Sequence, residues 1–200
     1  MTQLLPWLIA SYLLGSIPTS YLTVRLLKGQ DLRTLGSGNL GATNLFRVLG
    51  WKYAIPVGLF DMMKGAIPVL VFAPRAGGTD TAAILLGLAA IAGHVFSIFV
   101  GFKGGKGVAT GAGVVLGLAP WAFFTALAIW ALVVRATGYV SLGSIVASGT
   151  LPLAVYILHP ERRPLLWVFG GLAAAILLLH RANIRRLLTG TEHRFGRRAA

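Results

Sequence analysis

Residues 108–134 read VATGAGVVLGLAPWAFFTALAIWALVV, an apolar segment of 27 residues with Pro120 near its middle. As one helix this segment would extend about 40 Å, which is long for a single crossing of a bilayer core of about 30 Å and short for two. Trp121, a residue type that favours the membrane interface, directly follows the proline. The division of this segment determines how many times the chain crosses the membrane.

The composition of the whole chain indicates an integral membrane protein. Of its 200 residues, 56% are hydrophobic and 12% are charged, whereas about 25% of the residues of a soluble domain are charged. The net charge of +13 suits anionic lipid headgroups or anionic substrates, and the interleaved apolar segments argue against nucleic acid as a partner. Because the chain has no cysteine, disulfides, thiolate catalysis and cysteine metal sites are excluded.

Five further apolar segments are long enough to be membrane helices; they cover residues 4–27, 53–72, 81–100, 139–158 and 165–180. The first contains Pro18, where we expect a kink. Arg25 and Lys28 follow this segment and no basic residue precedes it. This charge order predicts a retained span with its N-terminus outside, not a cleaved signal peptide.

The distribution of basic residues decides how 108–134 is divided. If the chain turns back at Ala119–Pro120, nearly all Lys and Arg residues share one side, in agreement with the positive-inside rule. We therefore predict seven crossings, of which 107–119 and 121–134 are short, with a cytoplasmic C-terminus. The predicted fold class is an all-α integral membrane protein with a single domain over residues 1–200.

Three polar clusters interrupt the apolar pattern, and the first reads GSGNLGATNLFR over residues 36–47. It formally contains G-x-G-x-x-G, but no strand precedes it, so a dinucleotide fold is not supported. A helix is expected to begin near Gly41. An arginine can bind a phosphate through two N–H groups, and hydroxyl and amide side chains can bind hydroxyls. The alternative is a turn-rich surface loop. The candidate binding residues are Gly36, Ser37, Gly38, Asn39, Thr43, Asn44 and Arg47.

The second cluster reads GFKGGKGVAT over residues 101–110. Glycines let backbone N–H groups turn toward an anion, and a helix beginning near Gly107 would direct its positive end there. The order of residues is not that of a nucleotide-binding P-loop. The alternative is a flexible loop whose lysines follow the positive-inside rule, with His94 as a structural residue. The candidates are His94, Lys103, Gly104, Gly105, Lys106 and Gly107.

The third cluster reads HRANIRRLLTGTE over residues 180–192. His180 and Asn183 are three residues apart, so a helix would place them on one face. Glu192 closes the cluster. The arginines alone would be typical of a basic anchor at the membrane surface. No combination of histidines and carboxylates forms a convincing metal site, and we expect neither a metal nor a cofactor.

Two further patterns lie within predicted membrane segments. Asp61 and Lys64, at i and i+3, can pair with each other, either as a structural pair or as a brace for a polar pocket. Gly113 and Gly117 form a GxxxG pattern, which allows two helices to approach closely, although a glycine-rich sequence can contain it by chance.

Taken together, these motifs resemble the bacterial PlsY family of acyl-phosphate:glycerol-3-phosphate acyltransferases. The resemblance extends over nearly the whole chain, in the same order. Besides the three clusters, it includes GSIP at residues 15–18 and the spacing of Asp61, Lys64 and Gly65.

This resemblance implies transfer of a fatty acyl group from acyl phosphate to the 1-hydroxyl of glycerol 3-phosphate, with lysophosphatidic acid and inorganic phosphate as products. It implies seven helices in the bacterial inner membrane and an active site that faces the cytoplasm. Membrane lipid is an expected partner, and no obligate protein partner is evident. The glycine-rich loop, residues 101–107, would hold phosphate. The residues that would hold glycerol 3-phosphate are Ser37, Arg47, Lys106, His180 and Asn183.

The residue chemistry agrees with that activity. An acyl phosphate is a reactive mixed anhydride, so the enzyme needs no serine or cysteine nucleophile, and orientation of the substrates can supply much of the acceleration. The proton of the attacking hydroxyl could go to the phosphate of the donor or to His180. An organophosphate transporter is the rival function, although transporters usually bind near the midplane of the membrane and these polar residues gather at one predicted face.

Overall fold

A computed structural model describes residues 4–195, and every regular element within that range is helical. The chain divides into two compact units, of which the first ends at Leu118 and the second begins at Ala119. The helices of the first unit are α1 (Leu4–Ser16), α2 (Thr19–Lys28), α3 (Ala42–Leu49), α4 (Trp51–Ile67), α5 (Ala73–Arg75), α6 (Asp80–Val95) and α7 (Val108–Leu118). Those of the second unit are α8 (Pro120–Thr137), α9 (Val140–Leu158), α10 (Pro164–Leu179) and α11 (Arg181–Leu188).

Short non-α turns connect several of these helices. A π-helical turn, Pro68–Phe72, joins α4 to α5. Three-residue 3-10 helices cover Leu32–Thr34, Ile98–Val100 and Pro160–Arg162.

The first apolar segment is broken where a kink is expected. Helix α1 ends at Ser16 and α2 begins at Thr19, on either side of Ile17 and Pro18. The break leaves carbonyl oxygens without intrahelical partners. Nζ of Lys64 donates to the Ile17 carbonyl at 2.8 Å, and the Ser97 hydroxyl donates to the Ser16 carbonyl. Side chains from distant parts of the chain therefore stabilise the break, and neither short helix alone is long enough to cross a bilayer.

Among residues 4–195, four helical stretches are long and apolar enough to cross a membrane; they are Trp51–Arg75, Asp80–Val100, Pro120–Thr137 and Val140–Leu158. A fifth candidate combines α10 and α11, which meet at a bend of 60°. The expectation of an all-helical membrane protein is confirmed. Helix α8, with 18 residues, is longer than the predicted 121–134, whereas α7, with 11 residues, is shorter than a full crossing.

The apolar segment 108–134 divides where the proline predicts. Helix α7 ends at Leu118, and α8 begins at Pro120. Proline is well suited to the first turn of a helix, because the N–H it lacks has no partner there.

Glycines allow helices of the first unit to pack backbone to backbone. A Cβ at Gly113 would overlap the Met62 carbonyl, and one at Gly117 would lie 2.7 Å from the Val69 side chain. On the facing helix, a Cβ at Gly65 would overlap the Thr110 carbonyl. The close approach predicted from the GxxxG pattern is therefore confirmed between α4 and α7.

A buried apolar cluster supports both polar loops of the first unit. It joins Leu32, Leu40 and Leu45, from around the first polar cluster, to Val100, which directly precedes the glycine-rich loop. The two loops also approach each other directly, because a Cβ on Gly105 would lie 3.1 Å from the Leu40 carbonyl oxygen. The first unit thus brings the first and second polar clusters together.

Candidate functional site

The side chain of Asn44 organises the first polar loop. Its Oδ1 accepts a hydrogen bond from the N–H of Ser37 at 2.8 Å. Its Nδ2 donates to the carbonyls of Leu35, at 2.9 Å, and Asn39, at 3.1 Å. The residue is 1% exposed, and a Cβ on Gly36 would collide with its amide oxygen. Asn44 therefore holds the backbone of the loop in place from its buried side. Its direct contact with a substrate stays a prediction.

The same loop presents other candidate residues at the surface. Ser37 and Arg47 are exposed, whereas Gly38, Asn39 and Thr43 are half-buried. The helix expected near Gly41 begins at Ala42. Arg47 lies three residues after Asn44 on that helix, which places the two side chains next to each other. Asn44, which holds the loop in place, is therefore a neighbour of Arg47, which carries the positive charge.

The glycine-rich loop folds back over the end of α6. The N–H of Gly104 donates to the carbonyl of Val95 at 2.9 Å, and the N–H of Gly105 donates to that of His94 at 3.1 Å. A Cβ on Gly104 would overlap the His94 carbonyl, and one on Gly105 would overlap the His94 ring. In this conformation these two N–H groups satisfy carbonyls at the end of the helix instead of facing an anion, in contrast to the expected phosphate cradle.

The start of α7 is the part of this loop that can attract an anion. The helix begins at Val108, after Gly107 at φ 73°, and the first-turn N–H groups of a helix have no intrahelical partners. Lys106, directly before the glycine, is half-buried, whereas Lys103 is exposed. The structure therefore distinguishes two lysines that are equivalent by spacing, and it favours Lys106 as the one beside the helix start.

A buried polar cluster lies beneath the glycine-rich loop. Nζ of Lys64 lies 2.7 Å from Oδ1 of Asp61, which also accepts a hydrogen bond from the Thr19 hydroxyl at 2.6 Å. Nδ1 of His94 is 4.0 Å from the same oxygen. The cluster lines a cavity of about 10 Å³ together with Ser16, whose hydroxyl is buried and has no partner among the described residues. A space of this size and polarity can hold one water molecule.

The third cluster lies in the second unit, where α10 gives way to α11. His180 is at the bend, and its Nδ1 lies 2.8 Å from the carbonyl oxygen of Ile176. Because only an N–H can pair with a carbonyl, Nδ1 carries the proton and Nε2 has the lone pair in the neutral ring. His180 and Asn183 are both buried, and their spacing along the helix agrees with the predicted shared face.

Glu192 holds this cluster together. Its Oε1 accepts hydrogen bonds from Nδ2 of Asn183, at 2.6 Å, and from the hydroxyl of Ser141, at 2.8 Å. Its Oε2 accepts one from Nε of Arg186, also at 2.6 Å. The carboxylate therefore joins α9, α11 and the segment after α11, and it orients the Asn183 amide. Its expected direct contact with substrate stays a prediction.

The environment of Glu192 predicts a pH-dependent contribution to stability. Burial raises the pKa of Glu192, but the hydrogen bonds from Asn183, Ser141 and Arg186 outweigh burial and hold it below its usual value of 4.5. A carboxyl group whose pKa is lower in the folded state than in the unfolded state stabilises the fold. This stability is fully present above the pKa of the unfolded state and is lost as the pH falls through the pKa of the folded state. At pH 7 we expect Glu192→Gln to cost about 1.5–3 kcal/mol, which lowers the Tm in detergent by roughly 5 °C.

A melting series from pH 7 to pH 3 checks this expectation. The difference in Tm between wild type and Glu192→Gln should shrink as the pH falls below 4.5. Glu161→Gln, which changes an acid whose side chain is 64% exposed, is the control and should show a much smaller difference. A difference between wild type and Glu192→Gln that is independent of pH would contradict the assigned role.

Two residues that contact Glu192 have a role that the sequence does not indicate. Ser141 lies 51 residues from Glu192 along the chain, and no motif connects them. Arg186 belongs to a run of arginines that suggests a general basic anchor, and its specific pairing emerges only when the chain after Gly190 folds back.

The fold and these clusters agree with similarities to known proteins. A family model described as glycerol-3-phosphate acyltransferase matches residues 5–190. The glycerol-3-phosphate acyltransferase of Geobacter sulfurreducens is 50% identical over 186 residues, covering 92% of this chain and 94% of that protein. That of Chlorobaculum parvum is 43% identical over 232 residues and covers both chains fully.

Two solved structures share the fold. The crystal structure of PlsY (YgiH), an integral membrane glycerol 3-phosphate acyltransferase, in its glycerol 3-phosphate form has a TM-score of 0.89 and 42% identity, with 96% of each chain covered. Its lysophosphatidic acid form has a TM-score of 0.86 and 39% identity, covering 96% of this chain and 95% of that one. Fold and similarity together define an integral membrane acyltransferase of phospholipid synthesis. The chain belongs to the PlsY family of glycerol-3-phosphate acyltransferases.

Proposed function

We propose that this protein transfers a fatty acyl group from an acyl phosphate to the 1-hydroxyl of glycerol 3-phosphate, with lysophosphatidic acid and inorganic phosphate as products. The observation that carries the proposal is the match to PlsY over 96% of the chain, in structures described as its glycerol 3-phosphate and lysophosphatidic acid forms. Membership of a family of acyltransferases favours catalysis over transport of an organophosphate.

Arg47 and Lys106 bind the phosphate groups of the substrates in this proposal. Two anionic molecules must approach each other, so fixed positive charge has to offset their repulsion. A guanidinium can grip one phosphate through two N–H groups. Lys106, beside the first-turn N–H groups of α7, can stabilise the charge that develops on the acyl oxygen. This support comes from the exposed position of Arg47 on α3 and the half-buried position of Lys106 before α7.

Ser37, His180 and Asn183 bind and orient the glycerol part of the acceptor. The Ser37 hydroxyl lies on a loop that the Asn44 amide holds in place. Glu192 engages Nδ2 of Asn183, so the carbonyl oxygen of that amide is directed away from the carboxylate. The residues expected to surround the phosphate and glycerol groups are Gly36, Gly38, Asn39, Thr43, His94, Lys103, Gly104, Gly105 and Gly107.

The phosphate of the donor accepts the proton of the attacking hydroxyl. A phosphate with a second pKa of about 6 suits this role, and Nε2 of His180 orients the glycerol by accepting a hydrogen bond from its 2-hydroxyl, which does not react. Because Gln retains an acceptor, we expect His180→Gln to lower kcat by only about 10- to 100-fold and to leave the shape of the pH–rate profile unchanged. Abolished turnover with retained binding of glycerol 3-phosphate, measured by isothermal titration, would make His180 the general base instead.

The proposed topology has seven crossings in the bacterial inner membrane, with the N-terminus outside and the active site facing the cytoplasm. A single domain over residues 1–200 stays a prediction. Because the chain has no cysteine, single cysteines introduced at Lys28, Lys103 or Arg185 can be tested with impermeant thiol reagents. They should react only from the cytoplasmic side, and a cysteine at Arg75 only from outside; the reverse pattern would refute this topology.

An assay with purified protein in detergent tests the proposed reaction. Acyl phosphate and glycerol 3-phosphate should yield lysophosphatidic acid and inorganic phosphate in equal amounts. An acyl thioester supplied in place of acyl phosphate should give no product. Product formed with the thioester but not with acyl phosphate would refute the proposed donor. Counterflow of unchanged glycerol 3-phosphate in vesicles, without acyl transfer, would support a transporter.

A further inference from the structure

A second cavity lies in the second unit, at the turn between α9 and α10. It has a volume of about 200 Å³ and is lined by Val155, Tyr156, His159, Pro160, Arg163 and Leu166. His180 lies at the other end of α10, which at 16 residues extends about 24 Å. The cavity is therefore well separated from the third polar cluster, and the proposed reaction does not use it.

His159 contributes an unsatisfied polar atom to the wall of this cavity. The residue is buried, and its Nε2 has no hydrogen-bond partner among residues 4–195. Its Nδ1 lies 3.5 Å from a carboxylate oxygen of Glu161. With the proton on Nδ1, the nitrogen nearer the carboxylate, the neutral ring has its lone pair on Nε2. A ligand hydroxyl at the ring edge would satisfy that lone pair.

Arg163 and the apolar lining indicate the rest of the ligand. A guanidinium in a cavity wall can bind a phosphate through two parallel hydrogen bonds. Val155 and Leu166 form an apolar part of the wall. The neighbouring surface of α9 exposes Tyr156 and Ile157, each 62% exposed. This turn ends two candidate membrane helices, so the cavity lies where headgroups and acyl chains meet.

We propose that this cavity binds the headgroup of an anionic phospholipid that carries a free hydroxyl, of the phosphatidylglycerol type. Its phosphate pairs with Arg163, its headgroup hydroxyl donates to Nε2 of His159, and its acyl chains lie along the exposed apolar surface of α9. The ligand needs a phosphate because Arg163 is a cation, and it needs a hydroxyl because Nε2 of His159 is an acceptor. The proposal is independent of the acyl-transfer reaction.

Native mass spectrometry of the detergent-solubilised protein tests the charge requirement. We expect phosphatidylmethanol, an anionic lipid that like phosphatidylcholine has no headgroup hydroxyl, to bind about tenfold more tightly than phosphatidylcholine, the size of effect given by one charge-assisted contact. Arg163→Gln should abolish this preference. Arg162→Gln removes the same charge from the same turn, outside the cavity lining, and should retain it. Equal binding of the two lipids by wild type, or an equal loss in both variants, would overturn the proposal.

A second comparison tests the hydroxyl requirement. Phosphatidylmethanol has the same phosphate charge and lacks a headgroup hydroxyl. Wild type should prefer phosphatidylglycerol over it by about threefold to tenfold, the size expected for one hydrogen bond, and His159→Leu should bind both alike. A preference that persists in His159→Leu would refute the contact with Nε2.

Soluble competitors distinguish a lipid site from a site for free phosphate or for the acyl acceptor. Neither inorganic phosphate nor glycerol 3-phosphate in excess should displace phosphatidylglycerol. Displacement by either one would overturn the assignment of a separate lipid site. Arg163→Gln should retain wild-type acyl transfer in detergent, so failure of the lipid proposal and failure of the proposed reaction give different results.

Discussion

Replacing Lys106 with methionine is expected to lower kcat/KM for acyl transfer to glycerol 3-phosphate by about 10²- to 10³-fold, the effect of removing one preorganised donor from a site of developing charge. Lys106 directly precedes Gly107 and the first turn of α7, and it is half-buried. Its ammonium group and the helix start both favour an anion at the same place. Steady-state kinetics with acyl phosphate as donor provide the measurement.

Lys103→Met is the matched control for this prediction. It removes the same charge from the same loop, but Lys103 is exposed, where an interaction with a substrate is weakened by solvent and salt. We expect a loss of less than about tenfold, and one that diminishes further at high ionic strength. If Lys103→Met proved as damaging as Lys106→Met, the loop would act through its total charge, and the specific role of Lys106 would be wrong.

Replacing Lys64 with methionine is expected to destabilise the protein by about 3–5 kcal/mol, because it leaves the buried carboxylate of Asp61 without its cation. Both residues are 1% exposed. The change also removes the donor to the Ile17 carbonyl at the break between α1 and α2. In a chain of this size the expected decrease in Tm is roughly 10 °C, measurable by thermal unfolding in detergent.

Two further variants separate the ion pair from a general effect of charge. Lys52→Met removes an exposed lysine from the first turn of the same helix, α4, and should change the Tm by less than about 2 °C. Asp61→Leu combined with Lys64→Met removes both charges, and it should recover a large part of the stability lost in the single variant. A double variant no more stable than Lys64→Met would show that the contact with Ile17, not the ion pair, supplies the stability.

Several local features of the fold were predictable from the sequence. Pro18 and Pro120 mark two helix breaks, and α3 begins one residue after the expected Gly41. The pattern of Gly113 and Gly117 correctly indicates where two helices approach closely. In each case the signal lies in the residue itself or in its near neighbours, because a proline ring or a missing Cβ restricts the backbone wherever it occurs.

The directions of hydrogen bonds in the candidate site were not predictable in the same way. The expected phosphate cradle assumed that the N–H groups of Gly104 and Gly105 face outward, whereas both donate to carbonyls at the end of α6. Asn44 and Glu192 were expected to bind substrate, and the structure shows that each holds other parts of the site in place. Motif spacing identifies which residues are polar, but it does not show which partners satisfy them.

The amino-acid sequence by itself determined that this chain is a helical membrane protein, where its apolar segments break, and which three clusters carry the polar chemistry. These properties depend on hydropathy, proline and glycine, which act over short stretches of chain. Only the tertiary structure decided that Lys64 supports the break at Ile17, 47 residues away, and that Glu192 joins Ser141 to Asn183. The physical reason is that a buried polar group must find a partner, and folding alone determines which distant residue comes within reach.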